Sequence, residues 1–591
     1  MYRSNGNFEA FARPPKPQGV DGRRAYFVGA GLASLAGALF LIRDAQMPGT
    51  AITVFEELDL PGGSMDGILD RDKGFIIRGG REMEAHFETL WDLFRSVPSL
   101  ETPGASVLDE MYWLHKKDPS SNPARAIHGR GQIVPQVADL TLTPKAIEEL
   151  ISLALTREED LDNKRIDEVF SEEFFSSHFW LYWATMFAFE PWASATEMRR
   201  YIMRFVHHIS TLSDLTSLRF TQYNQYESLI LPLVKHLQSQ GVTFRYGIQV
   251  EDVLVSANVG EKRATQIHLS AQGKTERIDV DADDLVFITN GSITESSTYG
   301  DNDTPAPVVA DDGGAWSLWK RMAARDTAFG RPEVFCERIP EANWTISATV
   351  TLLDDRITPY IERLTGRDPH SGVIITGGPC SIEDSNWLYG FTMSRQPHFA
   401  SQDSSRQLVV WLYGLYSDRP GNYVPKTIRE CSGAELCAEW LYHIGVPLDD
   451  IDLLAREAAS TVPCNMPYIT SYFMPRAMGD RPLVVPVGSR NLAFIGNFAE
   501  TERDTVFTTE YSVRTAMEAV YTLLDVDRGV PEVYASIFDV RVLLSSLYYL
   551  GDRKRLHELD LPWIARAFGR IGMEKIKGTY LETLLSNARL I

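Results

Sequence analysis

The run with the most chemical content is Arg78-Gly79-Gly80-Arg81-Glu82-Met83-Glu84. Two glycines flanked by two arginines, followed at once by a carboxylate, are not ordinary turn chemistry. Glycines there would let a flat ring or a phosphate approach closely, with Glu82 beside it. Glu82 can equally be read as a first-turn carboxylate favoured by the dipole of the helix that the spacing of His86 to Phe94 predicts. A second site is spelled by Arg24 to Leu39, in which Ala25 to Val28 read as a buried strand, Gly29 and Gly31 open a turn, and a small-residue helix follows. This order suits a pyrophosphate held on backbone N–H groups at a helix N-terminus. Gly29 makes the turn, Gly31 admits the phosphate, and Ser34 lets the helix sit close to the strand. A third group, Phe391 to His398, is dense in donors and reads either as a carboxylate holder or as a hydrogen-bonded loop.

These groups need a scaffold. Ala51 to Phe55 read as a second strand, ending in Glu56 at the spacing expected for a carboxylate that meets a ribose hydroxyl. Leu60-Pro61-Gly62-Gly63-Ser64 adds a glycine pair that favours FAD over NAD. Further strands are expected at Gly241 to Tyr246, Ile248 to Val253, Asp284 to Thr289 (running into Asn290-Gly291-Ser292) and Asn491 to Ile495, so the α/β unit is discontinuous. Thr508-Thr509-Glu510 opens a helix to about Leu524 whose N-terminus suits a flavin pyrimidine ring. The expected division is an N-terminal arm over 1–20 and a nucleotide-binding domain in three parts, 21–135, 211–307 and 486–530. A helical cap covers 136–210, a substrate domain 308–485, and a helical C-terminal segment 531–591. Alternation around Trp344 to Thr351 and Leu408 to Leu415 places strands in the substrate domain. The polar stretch Glu295 to Pro307 reads as a functional loop. Ser194 to Glu197 is a capping-box pattern opening a helix that carries Met198, Tyr201, Phe205 and His208, with Tyr201 by default a core tyrosine. His207 and His208, as helix neighbours, point apart, so no metal is expected.

The totals bound the function class. The chain has 591 residues, a net charge of −21, 44 % hydrophobic residues and 11 % aromatics, which is a globular composition with ample core. The acidity argues against nucleic acid as the main partner. Cys336, Cys380, Cys431, Cys437 and Cys464 are scattered, without a C-x-x-C, so neither a disulfide framework nor a zinc site is expected. No secretory signal is visible, and the apolar run Leu32 to Ile42 is too short to span a bilayer. A cytoplasmic protein, at most peripherally attached to membrane, is expected. Tyr2, Phe8 and Phe11 suggest that the arm packs on something, a partner subunit included. Trp563 to Ile571 and Met573 to Leu585 read either as an interfacial amphipathic segment or as helices packed on the protein.

Taken together, the glycine turn, Glu56, the Arg-Gly-Gly-Arg-Glu-Met-Glu run, Asn290 to Gly300 and Ile495 to Tyr511 closely resemble the bacterial oleate hydratases, the myosin-cross-reactive-antigen family, from end to end. The resemblance implies a discontinuous Rossmann-like FAD-binding domain with an inserted substrate domain and a helical C-terminal segment. It implies an FAD-bound lyase, active with reduced flavin, that hydrates the cis-9 double bond of oleate, and of acids such as linoleate or palmitoleate, to 10-hydroxy acids without net redox. It further implies a homodimer whose C-terminal helices meet the membrane surface. By the same resemblance Glu82 activates water and Tyr201 protonates the alkene. The cofactor falls to Gly29, Gly31, Ala33, Ser34, Glu56, Gly63, Ser64, Arg81, Glu82, Val250, Ser292, Asn497 and Thr509, and the substrate to Gln225, Thr392, Ser394 and His398. Ser394 stands where another member has Asn, which bears on carboxylate grip and chain length. His398 is the expected cationic partner of the substrate carboxylate. The dinucleotide pattern alone fits an FAD-dependent oxidoreductase of the amine-oxidase or desaturase kind equally well, and the tail alone fits a lipid-binding protein without activity.

Overall fold

The computed structural model describes residues 3–4, 7–65, 67–134, 140–258, 260–309, 311–340, 344–555, 558 and 575–591. Five short strands form a parallel sheet in the order Thr243–Arg245, Ile52–Phe55, Ala25–Val28, Leu285–Thr289, Leu492–Ile495. By position in the chain this order is 3-2-1-4-5. Ala25–Val28 and Leu492–Ile495 are buried at every residue, as a parallel sheet covered on both faces demands. The order changes direction between the first and fourth strands, so a crevice opens at their carboxyl ends. Gly29 turns the chain there with a φ of +86°, and a Cβ on it would lie 3.5 Å from Thr289 Cβ.

The helix Leu32–Arg43 sits close on this sheet because its sequence is small. A Cβ on Gly37 would come within 2.7 Å of the Phe27 ring and 3.7 Å from Ala516 on the helix Thr509–Leu524. Phe27 stacks in turn on Phe287 with centroids 4.6 Å apart. An antiparallel meander, Ile248–Asn258, Glu261–Ala271 and Lys274–Asp279, extends the unit.

A second sheet has eight strands in the order Thr298–Tyr299, Ala459–Met466, Thr345–Leu352, Leu408–Gly414, Tyr389–Thr392, Cys380–Ile382, Ala126–His128, Gln132–Ile133. All neighbours are antiparallel except Cys380–Ile382 with Ala126–His128. It has a separate core that includes Ile346, Val350, Trp387, Phe391 and Trp440. The two expected inner strands are present. Sheet membership does not follow the expected boundaries at 135 and 307, however. Ala126–His128, Gln132–Ile133 and Thr298–Tyr299 all join the large sheet, and runs of two or three residues carry too little alternation to announce their partner.

Helices Pro144–Leu155, His178–Phe187 and Ala195–Phe205 fill the expected helical segment. Phe8 and Phe11 of the arm are exposed, so they do not pack on this chain; Tyr2 lies outside the described residues. The expected amphipathic stretch Trp563 to Ile571, with Met573, also lies outside them. The described tail helices Val540–Leu550 and Tyr580–Asn587 leave Val540, Leu547, Tyr580 and Leu581 exposed, as is Phe538. Among the described residues no helix is long and apolar enough to cross a membrane. All five cysteines are free thiols.

Because Gly37 is the contact that lets helix and sheet close, Gly37→Val should overpack it at a cost of about 1–3 kcal/mol. Thermal unfolding should show a lowered Tm, and a variant as stable as wild type would contradict this packing.

Candidate functional site

The crevice at the strand ends is a cleft of about 440 Å³, within the usual range for small-molecule sites. Its walls include Gly29, Gly31, Ala33, Glu56, Gly63, Ser64, Arg81, Val250, Ser292, Asn497 and Thr509. Two tight turns meet here, since a Cβ on Gly63 would stand 3.2 Å from Gly31 Cα. Glu56 accepts N–H bonds from Ala30 at 2.8 Å and Leu58 at 3.0 Å, which fixes its carboxylate at the mouth of the glycine turn. Opposite stands the N-terminus of Thr509–Leu524, where Thr508 Oγ1 accepts the Tyr511 N–H at 3.1 Å. Backbone N–H groups and the helix dipole there suit an anionic or electron-rich group. Glu295, Ser296, Ser297 and Tyr299, from the polar loop, form part of the wall. Ser34 is not on the wall. It is wholly buried behind the turn, its Oγ 3.2 Å from Thr289 Oγ1, and acts by packing helix against strand.

Glu82 lies one layer deeper, in the walls of two small cavities of about 50 and 40 Å³. The helix beyond it starts only at Glu88, and Glu82 instead precedes the two-residue strand Met83–Glu84, paired with Leu218–Arg219. The first-turn reading of this carboxylate therefore falls. Burial raises the Glu82 carboxyl above its ordinary 4.5, opposed by its own backbone N–H and by the charges of Arg81 and Arg125. Gly80 is needed beside it, since a Cβ there would stand 3.2 Å from Glu82 Oε1. The larger cavity is also walled by Thr345, Trp411, Thr470 and Tyr472, and the Thr345 Oγ1, Trp411 Nε1, Thr470 Oγ1 and Tyr472 Oη atoms are buried without a protein hydrogen-bond partner. Orphan polar atoms around a cavity of this size are the setting in which proteins keep ordered water. Neither cavity has the volume of an acyl chain.

Phe507 borders the cleft and both cavities. Its φ is +70°, a conformation that costs a bulky residue roughly 1–3 kcal/mol. It is held there by its N–H bond to Asn497 Oδ1 at 3.0 Å, by stacking on Tyr472, and by the Arg81 guanidinium 4.5 Å above its ring.

Tyr201 shares the 40 Å³ cavity with Glu82. It is fully buried among Phe187, Phe189, Phe205 and Phe473, and its hydroxyl donates to Val506 O at 2.5 Å. Burial, then neighbouring Tyr472, Glu197 and Asp504, push its pKa well above 10, with Arg481 opposing. Its helix is anchored by buried ion pairs. Ser194 caps that helix, but Glu197 does not complete the box; it pairs with Arg476 at 2.8 Å and Arg481 at 3.1 Å. Arg200 reaches Glu500 at 2.6 Å.

The helix ends at Phe205, and Val206–Thr211 is a 3-10 turn. His207 and His208 therefore do not point apart as helix neighbours would: their Nε2 atoms lie 3.4 and 3.5 Å from the same Glu84 Oε2. Burial alone would raise the Glu84 carboxyl, but His207, His208 and Arg204 bring it well below the usual range.

None of the expected substrate residues Gln225, Thr392, Ser394 and His398 is in the walls of the two Glu82 cavities. Thr392 ends a strand in register with Trp411, and its Oγ1 is buried without a partner. The Ser394 carbonyl accepts from Gln396 Nε2 at 3.2 Å. Gln225 is drawn to the same region, because the N–H of neighbouring Asn224 donates to His398 O at 2.8 Å. His398 is not a standing cation: burial lowers its pKa to about 4, so the ring is neutral near pH 7.

A family model described as the MCRA family matches residues 22–521. The chain belongs to the MCRA family. This MCRA chain is 54 % identical to an oleate hydratase of Streptococcus pyogenes serotype M49 (strain NZ131), over 100 % of both chains. It is 32 % identical to a linoleate hydratase of Lactiplantibacillus plantarum, over 84 % of this chain and 93 % of that one. Among solved structures, a redesigned putrescine oxidase aligns with a TM-score of 0.46 at 13 % identity, over 85 % of this chain and 99 % of the other, too distant to carry an argument.

Sequence reasoning overlooks several residues of the MCRA chain's site. Arg78, whose guanidinium donates to Gly63 O at 2.8 Å, sits in the motif itself and could be found there. Phe507 lies within the Ile495 to Tyr511 run but does not stand out there, and Trp411, Tyr413 and Tyr472 could not be found, since only tertiary packing brings them to Glu82.

The anchor of the Tyr201 helix makes stability depend on acid. Burial would raise Glu500, but Arg476, Arg200 and Arg481 hold its pKa at about 2 against an ordinary 4.5. A depressed carboxyl contributes its full stabilisation above pH 4.5 and loses it as pH falls toward 2. Tm measured across that window should fall, and Glu500→Gln should lower Tm at neutral pH while flattening the acid slope. An unaltered slope would count against the network.

Proposed function

We propose that this chain is an FAD-dependent fatty-acid hydratase, adding water to the cis-9 double bond of free unsaturated acids such as oleate, linoleate or palmitoleate to give 10-hydroxy acids without net redox. The full-length likeness to the S. pyogenes oleate hydratase supports the substrate class. The observation that carries the mechanism is a desolvated carboxylate, Glu82, in a cavity rimmed by orphan polar atoms and bordering the glycine-turn cleft.

The lining of the cleft supports a flavin dinucleotide as its occupant. Close approach at Gly31 and Gly63 suits the pyrophosphate, Glu56 the ribose, and the Thr508–Thr509 helix end the pyrimidine edge. Bound FAD, more favourably reduced, would supply shape and electrostatics beside the alkene and leave its electrons in place. Glu82 would hold the attacking water, take its proton, and through its charge favour the cationic transition state. Tyr201 would give its proton to the alkene on the other face. For this its hydroxyl must leave Val506 O, and the field that raises its pKa must be relieved by the developing charge. Thr392, Ser394, His398 and Gln225 would fix the far carboxylate and so the regiochemistry. His398 would act there as a neutral hydrogen-bond donor until the carboxylate binds. The cavity walls must part to admit the chain. We also propose a cytoplasmic homodimer that uses the exposed Phe8 and Phe11, with the C-terminal segment laid on a membrane surface.

Oleate turned over in heavy-oxygen water should give 10-hydroxystearate carrying one heavy oxygen, with no dioxygen consumed. Glu82→Gln should retain FAD and lose about 10²–10⁴-fold in kcat. An unlabelled product, or an unchanged rate in the variant, would overturn the assignment.

A further inference from the structure

Hydration leaves the number of free protons unchanged, but not their positions. On the reading above, the Tyr201 O–H bond breaks as a C–H bond forms, and an O–H bond of water breaks as the C–O bond forms. One proton then rests on Glu82 and one is missing from Tyr201. Each turnover must close by moving that proton back. Tyr201 is fully buried, and the group its hydroxyl meets, the Val506 carbonyl, accepts protons' hydrogen bonds but has no proton to give. The return path must run through the space that Glu82 and Tyr201 share.

That space is the cavity of about 40 Å³, enough for one or two waters. Besides the reacting pair, its titratable walls are Arg81, Glu84 and His208. Arginine stays protonated. Glu84 is held ionised, with Arg204 Nη1 3.1 Å from Oε1 and both histidines beside Oε2. His208 differs. Its Nε2 lies 3.5 Å from Glu84 Oε2, both of its ring nitrogens are buried without a hydrogen-bond partner, and an imidazole can accept a proton at one nitrogen while giving one from the other. We propose that His208, beside Glu84, returns the proton from Glu82 to the Tyr201 oxygen through cavity water. This inference rests on the hydratase reading of Glu82 and Tyr201.

The same three side chains could be taken for a metal site, as the ligand atoms of Glu84, His207 and His208 all lie within 4.8 Å of one another. The carboxylate is already engaged at both oxygens, by Arg204 at Oε1 and by the His86 N–H at Oε2, 2.9 Å away. His207 Nδ1 is turned to Ser536 Oγ at 3.1 Å. A guanidinium in the place of a second ligand shell opposes a cation, and the proton-transfer role uses the groups as they stand.

The test is steady-state hydration of oleate by His208→Ala, with and without imidazole. We expect kcat to fall about 10²-fold with KM unchanged, bound FAD and Tm as in wild type, and kcat partly restored by imidazole in proportion to its concentration. Wild-type protein that forms no hydroxy acid would overturn the hydratase reading and this inference with it. Wild-type hydration matched by His208→Ala, or a lowered kcat that imidazole does not restore, would overturn the proton return alone. So would stoichiometric metal in the purified wild-type protein with activity lost on chelation.

Discussion

A carboxylate set among small internal cavities, where its charge is disfavoured, is the constraint on which the rest of the structure turns. Charge on Glu82 is costly in its cavity, so its carboxyl binds a proton more readily than an exposed one. Proteins tolerate that cost where a base of raised pKa is useful. The surroundings temper it without removing it: Arg81 and Arg125 act as charges nearby, and Arg125 is itself tied to Ser381 Oγ and the carbonyls of Pro379 and Tyr182. Unpaired hydroxyl and indole groups around the same space leave a place for water that the protein's own groups do not satisfy.

Two sheets make this placement possible. The parallel sheet supplies a crevice at its carboxyl ends, and the eight-stranded sheet supplies Thr345, Trp411, Tyr413 and Met466 as a wall. Glu82 and Phe507 lie where the two meet. The backbone strain at Phe507 is sustained by Asn497, Tyr472 and Arg81 together, so the partition between cleft and cavities depends on residues from three separate segments. Tyr201 is joined to the same partition through Val506, the residue before Phe507. A ligand that moves Phe507 would move the Tyr201 hydroxyl's acceptor as well.

What can be read from the sequence is what is local. The glycine turn, Glu56 and the Arg-Gly-Gly-Arg-Glu run carry their chemistry within a few residues, and the cleft gathers nearly all the residues assigned to it. Features set by tertiary context are not legible. The pairing of Ala126–His128 with Cys380–Ile382 depends on a partner some 250 positions away. The approach of His207 and His208 to Glu84 depends on the helix stopping at Phe205. A histidine among donors looks cationic in sequence, and only its burial shows His398 to be neutral. The positive φ of Phe507 has no sequence signal at all, because it is imposed by its neighbours.

The most direct measurement is the titration of the Glu82 carboxyl itself, by infrared difference between wild type and Glu82→Gln across pH in the flavin-bound protein. A carboxylic acid band at position 82 is expected to persist above pH 4.5, the ordinary value. A carboxyl already ionised at or below that value would show a solvated or paired group, and would contradict a base kept in reserve by desolvation.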